Sequence, residues 1–159
     1  MEDNFLLNNL YINRITITKE IPEWNYLRDL PVVKCLQEMD GIRLSKNVTF
    51  LVGENGVGKS TLIEGIAVAM GFNPEGGTIN FNFATEATHS DLHKYLTVSR
   101  GYKRQRDGYF LRAESFYNVA TKEEEYSDIA HPSEKYHERS HGESFLALAQ
   151  SQLKPDGLY

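Results

Sequence analysis

The stretch that decides the fold is residues 48–71, VTFLVGENGVGKSTLIEGIAVAMG. Val48 to Val52 is a continuous apolar run, the pattern of a strand buried on both faces. Gly53-Glu54-Asn55-Gly56-Val57-Gly58-Lys59-Ser60 fits G-x-x-x-x-G-K-[ST]. Lys59 to Met70 then carries Leu62, Ile63, Ile66 and Met70 at helical spacing, with Gly71 placed to end the helix. A buried strand, a glycine loop and an amphipathic helix, in that order, make a cradle for a triphosphate. Glycines let the backbone curl until successive N–H groups point into one concavity, and the helix adds its positive end. Lys59 would place its charge on the β- and γ-phosphates, Ser60 would bind magnesium, and Thr61 would face the α-phosphate side. The spacing therefore predicts a site for ATP and Mg2+ made of Gly53, Glu54, Asn55, Gly56, Val57, Gly58, Lys59, Ser60 and Thr61, with Lys59 catalytic as well. The plain alternative is a glycine turn before an ordinary helix. Composition alone yields such a match in on the order of one chain in a hundred of this length, and the strand-loop-helix setting makes it rarer still.

Upstream, Leu10 to Thr18 alternates and is β-branched, which predicts a strand. Pro22 to Leu30 is irregular, and its Trp24 and Tyr26 are expected to pack, with a ligand platform as the alternative. Pro31 to Glu38 is expected to be a short helix with Gly41 past its end, followed by a short strand over Ile42 to Leu44. Downstream, Phe72 to Gly77 reads as a turn region. Thr78 to Ala84 alternates, with Ile79, Phe81 and Phe83 on one face. His89 to Tyr95 is expected to be a short helix. Leu96 to Ser99 and Tyr109 to Ala113 look like strands around the loop GYKRQRDG, whose Asp107-Gly108 is a turn signal. Glu114 to Lys122 reads as helical, Glu123 to Glu125 as a solvated face, and Tyr126 to Arg139 as an exposed loop. Ser140 to Leu153 is expected to be the last helix. It opens on the capping-box spacing Ser140-His141-Gly142-Glu143, and Phe145, Leu146, Leu148 and Ala149 follow. Leu158-Tyr159 looks like the start of another strand.

The chain has 159 residues and a formal net charge of −5. That length suits one domain, residues 1–159. The acidic balance gives no global field for nucleic acid. Lys103-Arg104-Gln105-Arg106 is the basic cluster, and such a loop is usually solvated. Cys35, the single cysteine, allows no internal disulfide and is expected to be a small buried hydrophobe in a reducing compartment. No apolar run is long enough to span a bilayer, and the acidic start Met1-Glu2-Asp3-Asn4 is unlike a signal peptide. The expectation is a cytoplasmic protein without membrane insertion.

His137-Glu138-Arg139-Ser140-His141 matches H-E-x-x-H, the zinc protease pattern. That chemistry needs both histidines one turn apart on a continuous, mostly buried helix. Here Ser140 reads as a helix cap inside the motif, Gly142 follows at once, and the interior pair is polar. The context argues against zinc.

The segments YINRITI, VTFLVGENGVGKSTLIEGIA, GYFLRAESFYNVA and SHGESFLA together resemble the ABC-type ATPase heads of the SMC and RecF group. They are more closely similar to small bacterial AAA-family ATPases of that superfamily. The resemblance covers nearly the whole chain. It implies an α/β P-loop NTPase fold, an ABC-head-like mixed sheet with an inserted helical lobe between Lys59 and Ser140. It implies ATP hydrolysis in a shared site. Two heads form a homodimer around ATP, and the signature-like residues 140–144, with Ser140, Gly142 and Glu143, face the partner's nucleotide. The helix cap suits that task, because free N–H groups aim at an anion. His141 and Glu143-Ser144 depart from the usual LSGGQ signature. The family's glutamine near metal and water would correspond to Glu114, at the end of the Tyr109 to Ala113 strand. A surface carboxylate capping the next helix is the alternative for Glu114. Arg14 would approach the nucleotide from the first strand, or else be a solvated strand charge. The group implies a role in DNA repair or phage defence, with DNA or a nuclease-type effector as a further partner. An ABC transporter subunit is the alternative, with Tyr11 in the place of an adenine-stacking aromatic.

The family continues into Walker B, a hydrophobic strand closing in Asp-Glu that organises magnesium and water. The sequence reaches Tyr159 without it. The expectation is a fold incomplete at its C-terminus, a fragment that hydrolyses ATP poorly and exposes an apolar sheet edge.

Overall fold

The structure, a computed structural model, describes residues 9–80, 89–112 and 141–159. The chain divides into two compact units, one of Met1–Gly71 with Thr88–Arg104, the other of Phe72–Ala87 with Gln105–Tyr159.

The first unit is built on β1 (Ile12–Ile17), the centre of a three-stranded antiparallel sheet. On one side it pairs with β2 (Ile42–Arg43), on the other with β4 (Leu96–Arg100). Ile15 lies opposite Ile42 and Val98, and the ladder shifts by one residue between Ile12 and Arg14. Ile12, Asn13 and Ile15 of this strand are buried, a pattern interrupted by the register shift between Ile12 and Arg14. Between β1 and β2 comes α1 (Pro31–Glu38), with Pro at the helix start, where its missing N–H costs nothing. Its Val33 and Leu36 are buried with Leu27 of the preceding 3-10 turn Tyr26–Asp29.

The second helix, α2, spans Lys59–Met70, the predicted bounds. Gly71 closes it in the left-handed region at φ 100°, donating to the carbonyls of Ala67 and Val68. Its buried face differs from the expected one. Leu62 and Met70 are buried as predicted, but Ile63 is exposed, and Glu64, Gly65 and Ala67 turn inward. At Gly65, small size explains this. A Cβ on Gly65 would lie 3.0 Å from Leu96 Cδ1 and 3.4 Å from Leu92 Cβ. The 3-10 turn Asp91–Lys94 and β4 pack onto α2 at that glycine.

The second unit holds another three-stranded sheet, in the order β3 (Gly77–Thr78), β5 (Asp107–Phe110), β6 (Gly157–Leu158). β3 and β5 are antiparallel, β5 and β6 parallel. Asp107-Gly108, expected as a turn, lies within β5, because Asp107 and Gly108 pair with Gly157 and Leu158. Tertiary pairing overrides the local turn preference. The last helix, α3, covers His141–Gln152. Ala147 and Leu148 are buried, whereas Leu146 is exposed.

The sequence predicted one mixed sheet. The described strands form two small sheets, one antiparallel and one mixed. The largest correction concerns Val48 to Val52. Among the described residues these form no strand, and Val48, Phe50 and Val52 are 67%, 83% and 92% exposed. A uniformly apolar run encodes burial on two faces but supplies no pairing partner, and β1 already has a strand on either side. Trp24 and Tyr26 are exposed, not packed, because Ile21, Asn25 and Leu27 take the inward positions of that turn. Cys35 is exposed too, since the inward face of α1 is taken by Val33 and Leu36. Residues 81–84 of the expected third strand, Ala113 to Arg139, and Ser140 lie outside the described residues.

Candidate phosphate-binding loop

The loop between residue 52 and α2 takes its shape from two glycines. Gly56 and Gly58 sit at φ 84° and 96°, in the region that L side chains resist. Gly58 is the residue before the first helical one, and no side chain caps α2 there. The amides of the first helical turn therefore face outward without a competing acceptor from the cap residue. The Lys59 ammonium folds back over the loop, donating to the carbonyls of Gly53 at 2.9 Å and Glu54 at 2.7 Å. Its charge is thus held over the loop, at the positive end of a helix with 12 residues. Ser60 is exposed in the same turn, and Thr61 is half-buried beside it.

A contact that sequence reading missed supports the loop. The amide of Val32, in the first turn of α1, donates to the Val57 carbonyl at 3.0 Å. A Cβ on Gly58 would come within 2.7 Å of Val32 Cγ1 and 3.4 Å of Leu30 Cδ1. The segment entering α1 is therefore a wall of the loop. Pro31 marks the start of that helix, but nothing in the local sequence says what the helix abuts.

Glu64, one turn beyond Ser60 on α2, is buried, and its carboxylate accepts from the Ser90 amide at 2.6 Å. The Ser90 hydroxyl in turn caps the Leu92 amide at 3.1 Å. Within that turn Lys94 hydrogen-bonds Asp91 at 2.7 Å. This bond, with smaller help from the Lys94, His93 and His89 charges, holds the Asp91 carboxyl below its usual range, against a slight desolvation.

Arg14 is engaged by Asp40, through both its backbone carbonyl and its carboxylate, the latter at 2.6 Å. Asp40 reaches it from the turn after α1, at φ 53°. The Tyr11 ring lies under the Lys103 ammonium, 5.8 Å from the ring centroid. Gly142 and Glu143 belong to α3 in the second unit, with Glu143 exposed. Ser140 and Glu114 lie outside the described residues, as does His137 of the zinc-type motif. Among the described residues, no three His, Cys, Asp or Glu side chains are grouped to hold a metal ion, and no helix is long and apolar enough to cross a membrane.

A glycine loop with left-handed turns, a lysine over its carbonyls and an uncapped helix behind it define a P-loop nucleotide-binding domain. A family model described as an AAA domain matches residues 33–151, and the chain belongs to that family. Nucleotide binding of the ATPase type is the general character of that family. No curated protein and no solved structure matches the chain.

Proposed function

We propose that this chain captures ATP with Mg2+ on the loop from Gly53 to Thr61, as the ATP-binding part of an ABC-type head. The observation that carries this is the position of Lys59, whose ammonium is hydrogen-bonded to two loop carbonyls at the start of α2. On binding, the ammonium exchanges those carbonyls for phosphate oxygens. The loop amides donate to the remaining phosphate oxygens. Ser60 offers a hard oxygen ligand of the kind Mg2+ prefers alongside phosphates, and the ion would neutralise charge developing on the transferred phosphoryl group.

For hydrolysis, the proposal is a homodimer of heads sharing two nucleotides, with Ser140, Gly142 and Glu143 presented to the partner's ATP. Glu114 is proposed beside the attacking water. Support for these assignments comes from the resemblance of SHGES and FLRAESF to family segments. A role in DNA repair or phage defence, with DNA or an effector protein as partner, has the same support.

The test is Lys59→Ala, with MgATP affinity measured by calorimetry. Two charge-assisted bonds to phosphate are at stake, so affinity should fall at least about 100-fold. Stability should change by no more than about 1 kcal/mol, because the released carbonyls are at the surface and turn to water. Undiminished ATP affinity in the folded variant would sink the proposal.

A further inference from the structure

The run Val48 to Val52 is made of residues that favour sheets, yet it stands outside one. Val48, Phe50 and Val52 are exposed at alternate positions, so an extended chain shows all three on one face. Leu51, of the opposite parity, is half-buried. Among the described residues, no backbone hydrogen bond involves Asn47 to Val52. A row of unpaired N–H and C=O groups beside exposed apolar side chains is a template for another strand. The centre of the nearest sheet cannot supply it, since β2 and β4 occupy both edges of β1.

The flanking sequence says what strand fits. The stretch reads Lys46-Asn47-Val48-Thr49-Phe50-Leu51-Val52-Gly53-Glu54. Laid antiparallel against a second copy of itself about a two-fold axis at Phe50, it is self-complementary. Phe50 meets Phe50 of the second copy, Val48 meets Val52, and Lys46 meets Glu54 at each end. Aromatic, β-branched and opposite-charge pairs are the ones that stabilise a sheet most. Lys46 and Glu54 are exposed, and among the described residues neither makes an ion pair. A slip of two residues sets Lys46 against Val52, or Glu54 against Val48. A slip of one sets Phe50 against Thr49 or Leu51. Charge and apolarity therefore select the same register.

We propose that residues 46–54 are a homodimer surface, on which two copies of this chain join as an antiparallel strand pair centred on Phe50. Both copies present the same patch, so the contact is isologous and uses each copy once. It is a separate stretch of chain from residues 140–144, and it needs no nucleotide. So short a stretch falls well below the roughly 20–30 residues a side of a standard interface. The dimer is accordingly weak and reversible, and the fold of a single copy does not depend on it.

The test follows the nucleotide-free chain by sedimentation equilibrium from about 1 μM to 1 mM, the span of weak complexes. The chain should pass reversibly from monomer to dimer. Phe50→Lys sets two like charges opposite each other at the axis and should stay monomeric throughout. Its circular dichroism should match the parent's, because Phe50 is exposed. Lys46→Glu and Glu54→Lys each turn two attractive pairs into two repulsive ones, so each should weaken dimerisation at least about 4-fold. The double variant Lys46→Glu/Glu54→Lys restores opposite charges and should recover the dimer, which a contact without register would not do. The inference is overturned if the parent stays monomeric to 1 mM or grows past the dimer. It is also overturned if Phe50→Lys dimerises like the parent, or if the double variant is no better than the single ones. Unfolding of Phe50→Lys would place that residue in the core and overturn it as well. No nucleotide enters these measurements, so their failure leaves the phosphate-loop reading untouched.

Discussion

Gly58→Ala tests whether the loop is held by the wall of α1 or merely lies near it. Two separate costs follow from the structure. At φ 96° the alanine must adopt a left-handed backbone, which costs about 1–2 kcal/mol. Its Cβ would also stand 2.7 Å from Val32 Cγ1, closer than nonbonded carbons tolerate. Overpacking of this kind costs about 1–3 kcal/mol. The expected total is about 2–5 kcal/mol, measured by urea unfolding with unchanged slope. Gly56→Ala is the matched control. It has φ 84° and nothing within 4 Å of the new methyl group, so it should lose only the backbone part, about 1–2 kcal/mol. Truncating the obstacle should rescue the packing part. In the double variant Val32→Ala/Gly58→Ala, the two changes should couple favourably by about 1 kcal/mol or more. If the Gly58 and Gly56 variants are equally stable and the double variant is simply additive, α1 does not wall the loop.

Phe50→Thr should change stability by no more than about 0.5 kcal/mol, the range for a surface site. A buried strand would lose about 3–5 kcal/mol for a comparable truncation, so one denaturation curve separates the two placements. Glu64→Ala should destabilise by about 1–3 kcal/mol, the penalty for depriving the Ser90 amide of its acceptor. Glu64→Gln keeps an acceptor oxygen and should lose less, and equal losses would show that this bond does not hold the turn. Asp91 has a lowered pKa in the folded chain, so its contribution is present above the carboxylate's unfolded value and is lost as pH falls through the folded one. Lys94→Met should move the Asp91 midpoint up in an NMR titration, and an unmoved midpoint would remove Lys94 as the cause.

What the sequence made legible is what local chemistry dictates. The bounds of α1 and α2 follow from Pro31, the glycine loop and Gly71, each of which acts within one turn of its own position. The glycines that must take positive φ were also readable, because the loop pattern places them where the backbone has to curl. The errors share a cause: each concerns what a side chain meets across space. The run Val48 to Val52 is apolar enough for a sheet centre, yet apolarity names no partner strand. Asp107-Gly108 is a fine turn dipeptide, but pairing with Gly157-Leu158 outweighs that preference. Ile63 has better helical spacing than Gly65, and still Gly65 faces inward, because Leu92 and Leu96 approach closely only where no side chain stands. Trp24 shows the same limit from the other side. Its size and hydrophobicity argue for packing, and only the burial of Ile21, Asn25 and Leu27 shows that the inward positions are already filled.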